Sequence, residues 1–224
     1  MLRYLYFLLI VRPVVTVLIG LNVRNRQRLP EQGPAIVVAN HNSHLDTMVL
    51  ISLFGMRRLK SIRPVAAADH FLRNRFMAWF SINIIGIIPI QRDMKGVRCD
   101  PLAGISAALQ RGEIVILFPE GSRGEPEIRQ AFKTGVAHLA KRHADVPFVP
   151  VFLHGLGKAL PKGEGILVPF FCDVFVGETI VWTGERGAFM DQLESAMCEL
   201  AKGAHLPEKT AGGDASLIHE TTNG

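Results

Sequence analysis

The chain has 224 residues, enough for one folded domain with extensions and too few for two full cores. Apolar residues make up 48% and charged residues 20%, which excludes a disordered chain and supplies more apolar surface than a small soluble core needs. Twenty-five Lys plus Arg against 20 Asp plus Glu leave a net charge of +5, a balance suited to an anionic membrane surface or to nucleic acid. Cys99, Cys172 and Cys198 show no Cys-x-x-Cys spacing and are odd in number, so neither a disulfide framework nor a four-cysteine zinc site is expected.

Residues 4–23 are apolar except for Arg12, Pro13, Thr16 and Asn22. As a helix they would extend about 30 Å, barely the thickness of a hydrocarbon core. Arg12 near the middle would cost at least ~2.5 kcal/mol in lipid, and Pro13 removes a helix hydrogen bond. The expectation is therefore a bent, half-inserted anchor over residues 1–24, with a pair of buried core helices as the plainer alternative. A cleaved signal peptide is disfavoured because Arg12 interrupts the apolar run and no small-residue cleavage site precedes Arg24. Arg24, Arg26 and Arg28 follow the segment while only Arg3 precedes it, which, if the segment spans, would leave the main body on the cytoplasmic side. Farther on, Arg57, Arg58, Lys60 and Arg63 precede residues 70–90, where Phe71, Phe76, Trp79 and Phe80 stand among Arg73 and Arg75. Cations mixed with aromatics suit a bilayer interface and make anionic lipids the expected partner. No nucleic-acid-binding signature accompanies them, so nucleic acid is not.

From residue 35 onward, short β-branched runs alternate with amphipathic stretches, the pattern of an α/β fold with a mostly parallel central sheet and flanking helices. Strands are predicted at 35–39, 63–67, 87–90, 113–118 and 148–153, and helices at 46–54, 71–82, 101–110 and 134–143. Beyond Leu160, apolar runs broken by Pro161, Gly163, Gly165, Pro169 and Gly177 read as antiparallel edge strands, followed by a helix over 188–202. Residues 204–224 are polar and turn-rich, the composition of a disordered tail.

Two stretches carry chemistry. Asn40-His41-Asn42-Ser43-His44-Leu45-Asp46 falls where the first of these strands ends and a helix begins, the edge at which α/β sheets present ligand sites. A short loop there would let Asp46 reach one nitrogen of His41, fix its tautomer and stabilise the imidazolium while the other nitrogen takes a proton from a hydroxyl. Ser43-x-x-Asp46 reads equally as a helix capping box, and the His-x4-Asp spacing is weak by itself. Zinc on His41, His44 and Asp46 lacks a good fourth ligand, so no metal is expected. The second stretch, Phe118-Pro119-Glu120-Gly121-Ser122-Arg123-Gly124, follows a strongly apolar strand and offers backbone N–H groups, a carboxylate and a guanidinium for a polyol phosphate, or else a plain turn. Arg92 and Lys133 add cations at strand and helix ends, where each alone would read as a solvated charge.

Taken in order, these stretches resemble the PlsC-type glycerolipid acyltransferases, the 1-acylglycerol-3-phosphate acyltransferases and their lysophospholipid relatives. His41 and Asp46 match the family's His-x4-Asp pair. Gly86-Ile87-Ile88-Pro89-Ile90-Gln91-Arg92 resembles its second block, Phe118 to Arg123 its third, and Val149-Pro150-Val151 its proline-centred fourth. Pro89 stands where an aromatic residue is usual, and Ser122 where threonine is common. The resemblance implies an acyltransferase domain over residues 25–203 and general-base catalysis by His41 with Asp46. It also implies acceptor binding by Arg92, Glu120, Gly121, Ser122, Arg123 and Lys133. Acyl-CoA or acyl carrier protein would be the donor and no cofactor is implied. The expected product is phosphatidic acid, made at the cytoplasmic face of the inner or plasma membrane, with another lysolipid, such as lyso-ornithine lipid, as the alternative acceptor. The rivals are a lipid hydrolase, for which no Gly-x-Ser-x-Gly elbow is present, and a non-catalytic protein that binds anionic lipid.

Overall fold

The computed structural model of the chain describes residues 1–43, 45–71, 74–91, 100–121, 132–156 and 170–204. Helix α1 starts as Leu2–Tyr6 and continues through wider π turns at Phe7–Val11 and Val14–Leu18. Its buried residues Phe7, Val11 and Val15 recur every fourth position, and Ile19 continues the series. On a regular helix that spacing drifts by about 40° per step, and widened turns remove the drift, so a single stripe stays on the core. Beside Pro13, which has no N–H to give, the Thr16 hydroxyl donates to the Arg12 carbonyl at 2.8 Å.

At Ile19 the helix ends and the chain becomes strand β1, Ile19–Arg24. The expectation for residues 1–24 changes accordingly. Only the first part is helical, and the last part is an edge strand paired in parallel with a strand near the other end of the chain, from Ile19↔Phe170 to Arg24↔Phe175. Asn22 adds a side-chain bond from its amide to Asp173 Oδ1 at 2.7 Å. Among the described residues no helix is long and apolar enough to cross a membrane.

The remaining strands are β2 (Ala35–Ala39), β3 (Ile62–Ala67), β4 (Ile88–Ile90), β5 (Ile114–Leu117), β6 (Phe148–His154) and β7 (Phe170–Val176). Their order across the sheet is β1-β7-β6-β2-β5-β3-β4. Strands β2 to β6 run parallel, and β7 is antiparallel to β6. The α/β class with a mostly parallel sheet thus holds. The segment expected as antiparallel edge strands supplies β7, which is antiparallel but not an edge, because β1 covers its outer side.

Both faces of β2 are buried, which is why it reads as an unbroken apolar run. Ala35, Val37 and Ala39 point to one side, where α1 and α2 (Asp46–Leu53) contribute Phe7, Val11, Leu50 and Leu53. Ile36 and Val38 point to the other, against Ile105 of α5 (Ala103–Gln110), Leu139 of α6 (Gly135–Arg142) and Phe189 of α7 (Arg186–Gly203). Instead of one helix over 71–82, the short α3 (Ala68–Phe71) precedes a separate α4 (Arg75–Phe80), which runs on through a wide turn at Ser81–Ile85. Asn74 starts the new helix, its side-chain oxygen accepting from the Phe76 N–H at 2.9 Å. Gly86 then turns the chain with φ +81°, and the Arg3 guanidinium packs on its open face, where a Cβ would lie 2.6 Å from Nη1. Residues 205–224 of the expected tail lie outside the described residues.

Candidate active site

Strand β2 ends one residue before the first polar side chain, and Asn40 makes that ending rigid. Its amide N–H donates to the Leu153 carbonyl at 2.9 Å, and its carbonyl accepts from the Leu153 N–H at 2.7 Å. The side chain imitates one more rung of the β2–β6 ladder, so the backbone is free to turn toward α2 at His41.

Asp46, the first residue of α2, is fully buried. One of its oxygens, Oδ2, accepts three bonds: from Asn42 N–H at 2.7 Å, from Ser43 N–H at 2.8 Å, and from His41 Nδ1 at 2.9 Å. A carboxylate only accepts, so Nδ1 carries the proton and Nε2 presents its lone pair. The capping geometry and the expected contact with His41 therefore share one oxygen. The reach-back of Asp46 to Ser43 is half of a capping box, and the same oxygen orients the imidazole. Ser43 does not cap the helix in return; its hydroxyl oxygen accepts from Leu45 N–H at 3.3 Å. The other oxygen of Asp46, Oδ1, is buried without a hydrogen-bond partner among the described residues. His44 lies outside those residues, and among them no three His, Cys, Asp or Glu side chains converge as metal ligands would.

Phe118, directly after β5, lies face to face with the imidazole, with ring centroids 4.2 Å apart and planes 21° from parallel. Asp46 thus fixes one edge of His41 and Phe118 fixes a face, while 19% of the histidine side chain stays accessible. After Phe118 the chain turns through Pro119-Glu120-Gly121, closed by a bond from Gly121 N–H to the Phe118 carbonyl at 3.1 Å. Gly121 has φ +73°, and the Lys133 side chain crosses it so closely that a Cβ there would lie 2.7 Å from Nζ. Lys133 is placed by its own N–H, which donates to the Pro119 carbonyl at 2.9 Å.

These groups border a cavity of about 630 Å³. His41, Pro119, Gly121 and Lys133 form part of its wall, while Met48, Met77, Phe80, Ile85 and Ile87 give much of the rest an apolar lining. Of the residues expected at the site, His41, Asp46, Gly121 and Lys133 come together here. Glu120 is 2% exposed and, unlike both of its neighbours, does not line the cavity. Arg92, Ser122 and Arg123 lie outside the described residues. Val149-Pro150-Val151 is an interior part of β6, away from the cavity wall. Sequence reasoning missed the Asn40 clamp and the Phe118 stack, whose only sequence signal is position next to His41 and next to Pro119.

Residues 20–154 match the family described as Acyltransferase. The chain is 32% identical over 149 residues to the chloroplastic 1-acyl-sn-glycerol-3-phosphate acyltransferase of Arabidopsis thaliana, covering 66% of this chain and 40% of that protein. It is also 32% identical over 159 residues to the human 1-acyl-sn-glycerol-3-phosphate acyltransferase alpha, covering 70% of this chain and 54% of that one. The chain thus spans roughly half the length of the curated relatives it matches. In structure it is similar to the 1-acyl-sn-glycerophosphate acyltransferase PlsC of Thermotoga maritima, with a TM-score of 0.70 and 20% identity over 92% of this chain and 81% of the other, which supports the fold.

Proposed function

This chain belongs to the acyltransferase family, and from that premise we propose that it moves a fatty acyl group from a thioester to the free hydroxyl of 1-acylglycerol-3-phosphate, forming phosphatidic acid. The observation that carries the reading is the His41 ring, anchored at Nδ1 by Asp46 and bordering an apolar cavity with its other nitrogen available. His41 Nε2 takes the proton of the acceptor hydroxyl as that oxygen attacks the thioester carbonyl. The tetrahedral intermediate collapses, the C–S bond breaks, and the imidazolium returns its proton to the departing thiolate of coenzyme A or acyl carrier protein. Asp46 stabilises the positive ring between the two transfers. No acyl-enzyme is needed, because the thioester is already activated and the protein's contribution is a base and alignment, the latter worth up to about 7–11 kcal/mol. Lys133 over Gly121, together with Arg92, Ser122 and Arg123, is proposed to hold the acceptor phosphate. Glu120, buried in the turn, is proposed to hold the cradle in shape and to meet the glycerol only if the turn opens.

The surface supports attachment to a membrane rather than passage through it. Leu5, Leu9 and Ile10 of α1 are exposed, as are Phe76, Met77, Trp79 and Ile82 along α4 and its extension. The two helices touch through Tyr6 and Phe80, whose rings meet edge to face at 5.2 Å, so the two apolar strips lie on adjoining helices. With a net charge of +5, an anionic cytoplasmic leaflet is the proposed surface.

The test is a detergent assay with 1-acylglycerol-3-phosphate and acyl-CoA or acyl carrier protein, product read by mass spectrometry. His41→Ala should lower turnover by about 10²–10⁴-fold. Equal turnover in wild type and variant would remove His41 from its role, and release of fatty acid without acceptor would point to a hydrolase.

A further inference from the structure

The cavity contains a charge that binding a phosphate monoester does not explain. Asp69, in α3 directly after β3, is exposed and lines the same cavity as His41 and Lys133. Among the described residues it forms no salt bridge, and neither does Lys133. A carboxylate with no cationic partner among the described residues would repel a bound dianion, which makes it an odd wall for a site built for phosphate alone.

The sheet order gives the charges a sequence in space. His41 leaves the carboxyl end of β2, Gly121 with Lys133 above it follows β5, and Asp69 follows β3, while β5 lies between β2 and β3. Across the cavity floor the order is therefore base, cation, acid. Neighbouring strands are about 4.8 Å apart, so the strand ends carrying the base and the acid are separated by about 10 Å. A lysolipid with its hydroxyl at His41 and an anion at Lys133 would have the next atoms of its head group at Asp69.

We propose that Asp69 is a specificity residue that receives a primary ammonium, so that the site takes zwitterionic lysolipids whose head group runs from an anion to an ammonium. Both a phosphodiester-linked ethanolamine and an ornithine carboxylate with its free amine have this chemistry. The inference rests on the acyl-transfer reading and extends it from one acceptor to a class.

The experiment compares kcat/KM for four acceptors with one acyl thioester in detergent: lysophosphatidic acid, lysophosphatidylglycerol, lysophosphatidylethanolamine and lyso-ornithine lipid. The first two carry an anion without an ammonium, and the last two separate the possible sources of the ammonium. Wild type should acylate at least one of the ammonium acceptors. Asp69→Asn should reduce kcat/KM on that acceptor about tenfold, mainly through KM, the size of a lost charge-assisted bond. The same change should raise kcat/KM on lysophosphatidic acid about twofold, because a like charge is gone. Asp69→Glu should recover most of the loss. An equal factor on all four acceptors, or wild-type turnover confined to the two acceptors without an ammonium, overturns the proposal. In that case a His41-dependent rate on lysophosphatidic acid would leave the acyl-transfer reading intact, whereas loss of His41 dependence on every acceptor would remove that reading too.

Discussion

The two ends of the sheet both hold charged side chains, and they treat them in opposite ways. At the amino end, Glu113 is 8% exposed and divides its oxygens between Arg63 at 3.1 Å and Arg111 at 2.8 Å. Arg3 joins the same end by donating to the carbonyls of Ile62 at 2.9 Å and Ile85 at 3.0 Å. Burial, and then the charge of Arg63, push the Arg3 guanidinium down to about 10, with Glu113 pulling the other way. Arg3, Arg63, Arg111 and Glu113 there each have an opposite charge or a carbonyl to meet, although the Nε atoms of Arg3 and Arg63 are buried without a hydrogen-bond partner among the described residues. At the carboxyl end, among the described residues, Asp46 has an oxygen without a partner, His41 Nε2 has no hydrogen bond, and Lys133 and Asp69 form no salt bridge in the cavity wall. Charges already matched at the amino end lock α1 to the sheet. Charges left open at the other end can act on a ligand.

That contrast implies that changes at the carboxyl end should cost turnover, and changes at the amino end should cost stability. The largest effect is expected from Asp46→Asn, which retains an acceptor for the loop N–H groups but cannot stabilise an imidazolium. Turnover should fall by about 10²–10⁴-fold with little change in melting temperature. Asn40→Ala sits on the border between the two kinds of effect. It strands the N–H and C=O of Leu153, so unfolding free energy should fall by about 1–3 kcal/mol per stranded group, visible as a lower urea midpoint. Activity per folded molecule should fall as well, since the His41 backbone loses its stop. Glu113→Ala should lower stability by about 1–3 kcal/mol while kcat/KM stays near wild type; a large loss of turnover at full folding would break the contrast. Phe118→Leu removes a stacked face from the imidazole, for which about 0.5–1.5 kcal/mol is the usual scale, so a two- to tenfold lower rate is expected.

The smallest effect is a pH dependence away from both ends. His143 Nε2 meets the Ser106 hydroxyl at 2.8 Å, and burial first, then the charge of Arg142, lower its pKa below 6.5. The unfolded imidazole takes its proton near 6.5 and the folded one only at lower pH, so between those points the unfolded state binds more protons. Stability should therefore decline as pH falls through that interval. His143→Gln should flatten the slope in thermal melts, and an unchanged slope would exclude this histidine as its source.

How much of this was legible beforehand differs by element for one reason, the range of the signal. Strand β2 was legible at its observed limits of Ala35 and Ala39, because a strand covered on both faces is a short unbroken apolar run. Helices α2, α5 and α6 matched their expected positions to within a residue or two, since the apolar periodicity and the turn residues that bound them lie in the same short stretch. Residues 19–24 failed because their apolar text is continuous with that of α1, and what makes them a strand is β7, which pairs Ile19 with Phe170. No local window contains that partner.

The sequence by itself determined the α/β class and put His41 and Asp46 within reach of each other, with capping still an equal reading, because strand periods and a six-residue loop are local properties and a short loop leaves few places for a carboxylate to go. The resemblance to glycerolipid acyltransferases also came from local blocks, and the family match over residues 20–154 agrees with it. Only the tertiary structure decided that Phe118 faces His41, that Asn40 locks the end of β2 to Leu153, and that Asp69 shares a cavity with Lys133. Those relations depend on the order β6-β2-β5-β3, and strand order is set by packing between segments far apart in the chain, where a sequence pattern has nothing to repeat.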